Sequence, residues 1–465
     1  MRSDLHPPGT EAALSPVPAG RPSAPSIHQG PVSVNRPIRS LRRNVVWTLA
    51  GDGVYAACQW GMLIVIAKIG SAEMLGQFAL GLAITAPVIF LAGLALRSVL
   101  VTDAESDYEF GEYLALRLAT TACALAVIGG VALIAGYRTE TSLVILGLGL
   151  AKGMEAVSEI YYGLFQRHER MDLIATSLMI KGPLSLAALT AVLFFSGSIV
   201  WGAIGVMAIW GLVLLTYDAR VGTGLVHRMG NGQGARPQWR STRLTRLTWV
   251  AWPLGCTLML VSFNYNIPRY FLEHYLGERS LGIFAAVAHL MLAGSTLMNA
   301  FEQTASPRLA RYWAEGRRSA FRTLLFKLVG LGGLLGLAGM IVALTVGRDI
   351  LALLYQPEYT AWVDVLLWLM VVGAVGYVAS AFGYGLTAAR VFWLQPVQLA
   401  CATAAGAVAC FLLIPSQGLK GAAWAMGISL TVQLVIAVGG TGYFLRGSAR
   451  VPRQDCAAGP QVPIG

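Results

Sequence analysis

The chain has 465 residues, of which 56% are hydrophobic and 12% charged, about half the charged share of an ordinary soluble domain. Its mean hydropathy is +0.62 and its net charge +11, from 34 basic and 23 acidic residues. So little polar surface could not cover a water-soluble fold of this size, which excludes a soluble enzyme, a disordered chain and a secreted disulfide scaffold.

In chain order, residues 1–40 (HPPGTEAALSPVPAGRPSAPS within them) are rich in Pro, Ser and Gly and predict a disordered arm rather than a signal peptide. Twelve apolar segments follow, each long enough to cross about 30 Å of hydrocarbon as a helix. They are 44–68, 74–100, 113–137, 141–165, 172–196, 198–217, 247–273, 280–303, 323–346, 360–388, 391–414 and 420–445. The stretch 348–355 (RDILALLY) is too short to span and is expected at the interface. Five cysteines lie in apolar stretches and Cys456 in the tail, with no paired motif, so they read as small hydrophobes.

Lys and Arg set the orientation. With the N-terminus inside, 23 of the 34 basic residues fall on the inner side and 5 on the outer, which predicts two cytoplasmic termini. The basic excess then reports cytoplasmic loops, not nucleic acid. One loop dissents: 101–112 should be inside yet carries Asp103, Glu105, Asp107, Glu109 and Glu112. Arg97 and Arg117 flank it and are expected to pair with those acids.

The longest loop, 218–246, is rich in Gly and Arg and faces the cytoplasm. It reads as a linker between an N-lobe (41–217) and a C-lobe (247–446), with a cytoplasmic tail at 447–465. Weak internal similarity supports a parallel repeat: 69–80 (IGSAEMLGQFAL) against 276–287 (LGERSLGIFAAV), and 161–171 against 382–392.

No GxxxxGK(S/T), HExxH or GxSxG motif occurs, and every outer loop is short, so a transporter without cofactor or metal is favoured over a membrane enzyme. The informative residues are ionisable groups inside the bilayer, each costly unless paired or wet. In segment four, Lys152, Glu155, Glu159 and Tyr162 share one helical face. Lys181 in segment five lies at a depth that suits a Glu159–Lys181 pair. Such a cluster either holds two helices together or lines a cavity, and the two roles are compatible. Segment one has a polar stripe of Asn44, Thr48, Asp52, Tyr55 and Gln59, in which Asp52 could take up a proton or cation or only bond a neighbouring helix. Segment seven carries Ser262, Asn266 and Arg269 beside Pro253 and Pro268. Arg269 could bind a phosphate or snorkel to headgroups. Segment eight carries His289, Thr296, Asn299 and Gln303, with His289 either titrating or neutral in the core. The first half holds the buried carboxylates Asp52, Glu155 and Glu159, and the second half polar, aromatic and cationic groups instead.

These segments resemble the polysaccharide and O-antigen flippases of the multidrug/oligosaccharidyl-lipid/polysaccharide exporter superfamily. The resemblance is carried by 43–88 (RNVVWTLAGDGVYAACQWGMLIVIAKIGSAEMLGQFALGLAITAPV), LRSVLVTD (96–103), 161–186, 266–290, QTASPRLARYWAEG (303–316) and LLYQPEY (353–359). It implies an all-α polytopic membrane protein of two six-helix lobes around a central cavity. It also implies ion-coupled movement of an isoprenoid diphosphate-linked oligosaccharide across a bacterial inner membrane, with membrane lipids, a glycan polymerase and glycosyltransferases as partners. On that reading the cationic cavity is Lys152, Lys181, Arg269 and His289. Asp52, Glu155 and Glu159 couple the ion, and Gln59, Tyr162, Asn266 and Asn299 line the cavity. The competing readings are a cation-coupled small-molecule or multidrug exporter of the same superfamily and a non-transporting scaffold for glycan enzymes.

Overall fold

The computed structural model describes residues 41–103, 107–228, 236–391 and 393–447. The expected N-terminal arm and nearly all of the expected C-terminal tail lie outside them. Among the described residues the fold is all helical. The first half comprises α1 (Leu41–Ile69), α2 (Ala72–Gly93), α3 (Leu96–Thr102), α4 (Phe110–Ile134), α5 (Thr139–Arg167), α6 (Met171–Ser196), α7 (Ile199–Val213) and, after a π-helical turn at Leu214–Asp218, α8 (Ala219–Arg228). The second comprises α9 (Ser241–Ala314), α10 (Arg318–Leu354), α11 (Val363–Ala388) and α12 (Leu394–Gly447), with a 3₁₀ turn at Pro357–Trp362. Backbone polar groups cannot meet water in hydrocarbon, so each segment satisfies its own as helix.

Nine of the described helices are long and apolar enough to cross a membrane, and the charged α5 is not among them. Large apolar side chains such as Leu133, Ile134 and Phe195 are exposed, as a lipid-facing surface requires. The chain is a multi-pass membrane protein.

Two of the runs double back. His289 lies within reach of the Arg269 charge, although twenty residues of straight helix would separate them by about 30 Å. The turn in α9 is Gly277, with φ 78° and ψ 176°. In α12 it is Gly418, with φ 59°, and Ser429 Oγ reaches back to the carbonyl of Ala402 at 3.0 Å. Positive φ is open to glycine without steric cost, so each reversal needs one residue and no loop.

Three apolar clusters show how the halves meet. At the Gly277 end one core mixes both: Met62, Ile66, Leu75 and Phe78 with Leu281, Phe284, Tyr355 and Ile414. Toward the opposite end the core splits. One branch is built from the first half (Tyr113, Phe165, Leu214) and the start of α9 (Leu247, Ala251), and the other only from the second half (Leu309, Phe321, Leu325, Phe382). The molecule is therefore two lobes joined at one end and parted at the other.

Glycine permits the closeness at the joined end. A Cβ on Gly76 would lie 1.8 Å from the carbonyl oxygen of Glu278, and one on Gly282 would lie 1.8 Å from that of Ala72. Polar ties surround this contact. Glu278 takes hydrogen bonds from Gln77 (3.0 Å) and Thr141, Arg138 meets Glu73, and Gln356 donates to the carbonyl of Gly70 (3.0 Å).

In its helices and loops the fold departs from the sequence expectations in four places. Segment two is not continuous: Leu94 and Ala95 are left-handed, with φ 51° and 48°, and break it into α2 and α3. Residues 348–354 do not form a separate interfacial piece, because α10 carries straight on to Leu354. Segment six runs past 217 through the π-helical turn to Arg228, which makes the first part of the expected linker helical. Finally, the acidic loop finds its partners in the far side of that linker. Buried Glu112 meets Arg243 at 3.1 Å, Glu109 lies 3.8 Å from Arg240, and Gln238 N–H donates to the carbonyl of Gly111 at 2.9 Å.

Candidate functional site

The polar face expected on α5 is present, and the neighbouring helices divide it into two groups. Glu155 accepts from Lys152 Nζ and from Tyr55 OH of α1, both at 2.7 Å. Lys152 also lies 5.0 Å from the Trp210 ring, a favourable seat for a cation. One turn on, Glu159 does not meet Lys181. It pairs with Arg97 at 3.0 Å, and Arg97 also holds Gln166 at 3.0 Å. The left-handed break at Leu94–Ala95 starts the short helix α3 that carries Arg97. This arginine therefore serves α5 instead of the acidic loop, and Arg117, buried, has no ion pair among the described residues. Asp52 is exposed on α1 within range of the Arg97 and Glu159 charges. Gln59, further along α1, is half-buried.

Lys181 lies at the centre of the first half with no surface of its own. Its Nζ donates to Tyr162 OH at 2.9 Å and Ser158 Oγ at 3.3 Å, and it faces Asp218 at 3.8 Å. Tyr162 OH also bonds Ser177 Oγ at 2.8 Å, and Trp210 Nε1 donates to Ser185 Oγ at 2.9 Å. Asp218 is fully buried, and neither of its oxygens closes a hydrogen bond of normal geometry. Two charges out of water repay their desolvation only when tightly paired, and at 3.8 Å this pair is a loose one inside a buried polar node. The structure brings neither Lys181 nor Tyr162 to a cavity wall. Asp218 was invisible in the sequence because it stands just past the last apolar residues, where it reads as the first residue of a loop. The π-helical turn adds a residue there and directs Asp218 inward, and turns of this kind are frequent at functional positions.

Across the molecule, Arg269 and His289 flank the Gly277 reversal. They stand eight and twelve residues from it, about 12 and 18 Å along their helices. Arg269 donates to Asn266 Oδ1 at 3.1 Å, Asn266 in turn donates to the Ser262 carbonyl at 2.8 Å, and no carboxylate pairs with Arg269 among the described residues. A half-buried guanidinium without a counter-ion is suited to an anion. Asn299, nearly three turns beyond His289, lines a cavity in the second half.

The second half is not free of buried acids, contrary to the sequence expectation. Glu302 is fully buried, with Oε2 accepting from Ser380 Oγ at 2.7 Å and Oε1 without a partner. It stands at the expected end of segment eight, where an acid reads as the first group outside the membrane.

A family model described as polysaccharide biosynthesis protein matches residues 41–313, and a second, MatE, matches 253–391. The capsular polysaccharide biosynthesis protein CapF of Staphylococcus aureus is 26% identical over 403 residues, covering 84% of this chain and 97% of that protein. Among solved structures, the fold is similar to an inward-facing multidrug resistance MATE family transporter of the MOP superfamily, with TM-score 0.67, 11% identity and coverage of 87% and 99%. It is also similar to the lipid II flippase MurJ in an inward closed conformation, with TM-score 0.65, 12% identity and coverage of 86% and 87%. At such identities the structural likeness speaks for the fold alone.

Proposed function

The chain belongs to the polysaccharide biosynthesis protein family, and from that premise we propose that it is a flippase for an isoprenoid diphosphate-linked oligosaccharide. The substrate is an O-antigen, exopolysaccharide or capsule repeat unit, moved from the cytoplasmic to the periplasmic leaflet of a bacterial inner membrane by ion-coupled alternating access. Neighbouring glycosyltransferases and a glycan polymerase would supply and consume it. The observation that carries the reading is the pair of lobes joined at the Gly277 end and parted at the other, with an unpaired Arg269 beside the junction. With the Lys/Arg-rich loops inside, the parted end faces the cytoplasm, where such a substrate is made.

In this state Arg269 and His289 would receive the diphosphate, and Lys152 at the edge of the first half would meet acidic sugars. Lys181 acts indirectly, through the node it forms with Asp218. Coupling falls to Asp52 and the Arg97–Glu159 pair beside it, with Glu155 neutralised by Lys152. A chromosomal deletion, scored for lipid-linked saccharide accumulating on the cytoplasmic leaflet, tests the reading. Accumulation that Arg269→Ala fails to reverse supports it, and normal surface glycan in the deletion strain overturns it.

The MatE match over 253–391 favours one second reading, a cation-coupled exporter of small molecules. That protein would leave surface glycan intact on deletion and raise drug sensitivity.

A further inference from the structure

The cavity that Asn299 lines in the second half has a volume of about 620 Å³ and lies apart from the charged groups of the first half. Its volume lies in the range of small-molecule sites. Ser295, Thr296 and Asn299 of α9, Tyr384 of α11 and Gln398 of α12 form its walls, with Tyr265 at one side. No Lys, Arg, His, Asp or Glu lines it. Such a lining gives a phosphate no cation, while Met291, Leu292, Met298 and Leu430 add apolar wall between the polar groups, the mixed surface that an uncharged ligand with polar and apolar faces requires.

Hydroxyls and carboxamides both donate and accept, and so do the hydroxyls of a sugar. Tyrosine rings present faces of partial negative charge, which suit the C–H face of a pyranose. Tyr265 is 56% exposed and forms no hydrogen bond among the described residues, so its ring is free to meet a ligand. Behind the wall stands Glu302. Ser380, which lines the cavity, donates its only hydroxyl proton to that carboxylate at 2.7 Å. Its lone pairs are left to accept from a ligand hydroxyl, in a chain of hydrogen bonds that ends on Glu302.

We infer that this cavity binds the uncharged saccharide portion of the substrate, in which Tyr265 and Tyr384 stack on sugar rings and Ser380, backed by Glu302, accepts a sugar hydroxyl. The inference rests on the flippase reading and assigns the sugar and the diphosphate to separate places, the cavity and Arg269.

The test uses full-length protein in lipid nanodiscs and three probes: lipid-linked saccharide extracted from the deletion strain, the same saccharide released by mild acid, and an isoprenoid diphosphate without sugar. Tyr384→Ala and Tyr265→Ala should each raise Kd for the released saccharide about tenfold or more, the loss typical of a central contact. Both should leave the bare isoprenoid diphosphate unchanged, and Tyr384→Phe should retain most of the saccharide affinity. Tyr265→Ala is the control for folding, because its exposed ring packs little. Equal saccharide affinity in wild type and both alanine variants would overturn the inference and leave the flippase reading standing. A deletion strain that accumulates no lipid-linked saccharide would overturn the flippase reading, and the inference with it.

Discussion

The two halves hold their polar groups in opposite ways. In the first half most of the charged ones are spent on one another, Lys152 on Glu155, Arg97 on Glu159, Lys181 on Asp218 and Tyr162, with Arg117 and Asp52 as exceptions among the described residues. In the second half they surround an open volume, neutral at the wall, with one buried carboxylate behind Ser380. A charge that is already answered stiffens a lobe and resists change. A neutral group at a cavity wall, even one that donates to a neighbour as Ser380 and Gln398 do, keeps lone pairs that can accept from a ligand. Similar bundles can thus divide the work, with charge balance in the first and recognition in the second.

This contrast can be broken most severely at Asp218. Asp218→Ala strands Lys181 in a dry core and should cost about 3–5 kcal/mol, read as a fall in the thermal unfolding midpoint in detergent. The double variant Lys181→Met with Asp218→Leu should recover most of it. An unchanged midpoint for Asp218→Ala would show that the first half is not organised by this pair. Next in size is the junction that serves both halves. Gly282→Ala places a methyl against the Ala72 carbonyl and should cost about 1–3 kcal/mol as overpacking, while raising the reactivity of a cysteine placed at Ser71. If that cysteine stays protected, the contact does not hold the end shut.

Glu302→Gln sharpens the comparison from the other side. The amide keeps its oxygen and its size, so the midpoint should shift by less than about 1 kcal/mol, in the ordinary range for a substitution that breaks no charge pair. A loss as large as that at Asp218 would place Glu302 in a charge network like that of the first half. The smallest effect is expected at Arg243→Ala. Its partner Glu112 is buried, but it keeps Arg240 at 3.9 Å and the Glu109 N–H at 2.9 Å, so losing the half-exposed arginine should cost about 0.2–1 kcal/mol. The difference from wild type should shrink as salt is raised, and a salt-independent effect would contradict that account.

Most of the fold was legible because lipid enforces long apolar runs. Breaks expected at 274–279 and 415–419 coincide with Gly277 and Gly418. The Leu94–Ala95 break was not legible, since neither residue favours positive φ and the surrounding GLALRS reads as plain helix. Its consequence, the Arg97–Glu159 pair, was hidden with it. The stripe of Lys152, Glu155 and Glu159 was readable from helical period alone. Its partners were not, because partner choice depends on which helix lies alongside and how it is turned. Asp218 and Glu302 escaped for one shared reason: a carboxylate at the margin of an apolar run looks solvated until tertiary packing covers it.

The single-residue reversals have a mechanical consequence. With no slack loop at Gly277, the second stretch of α9 is a rod pivoted at one end. From Gly277 to Ala314 it is about 55 Å long, so a tilt of ten degrees at the pivot sweeps its far end through about 10 Å. Gly418 lies beside that pivot, 3.9 Å from Leu276 by its would-be Cβ. Two levers thus share a fulcrum, and a rearrangement of side-chain size at the joined end is geared into a gap of helix width at the other.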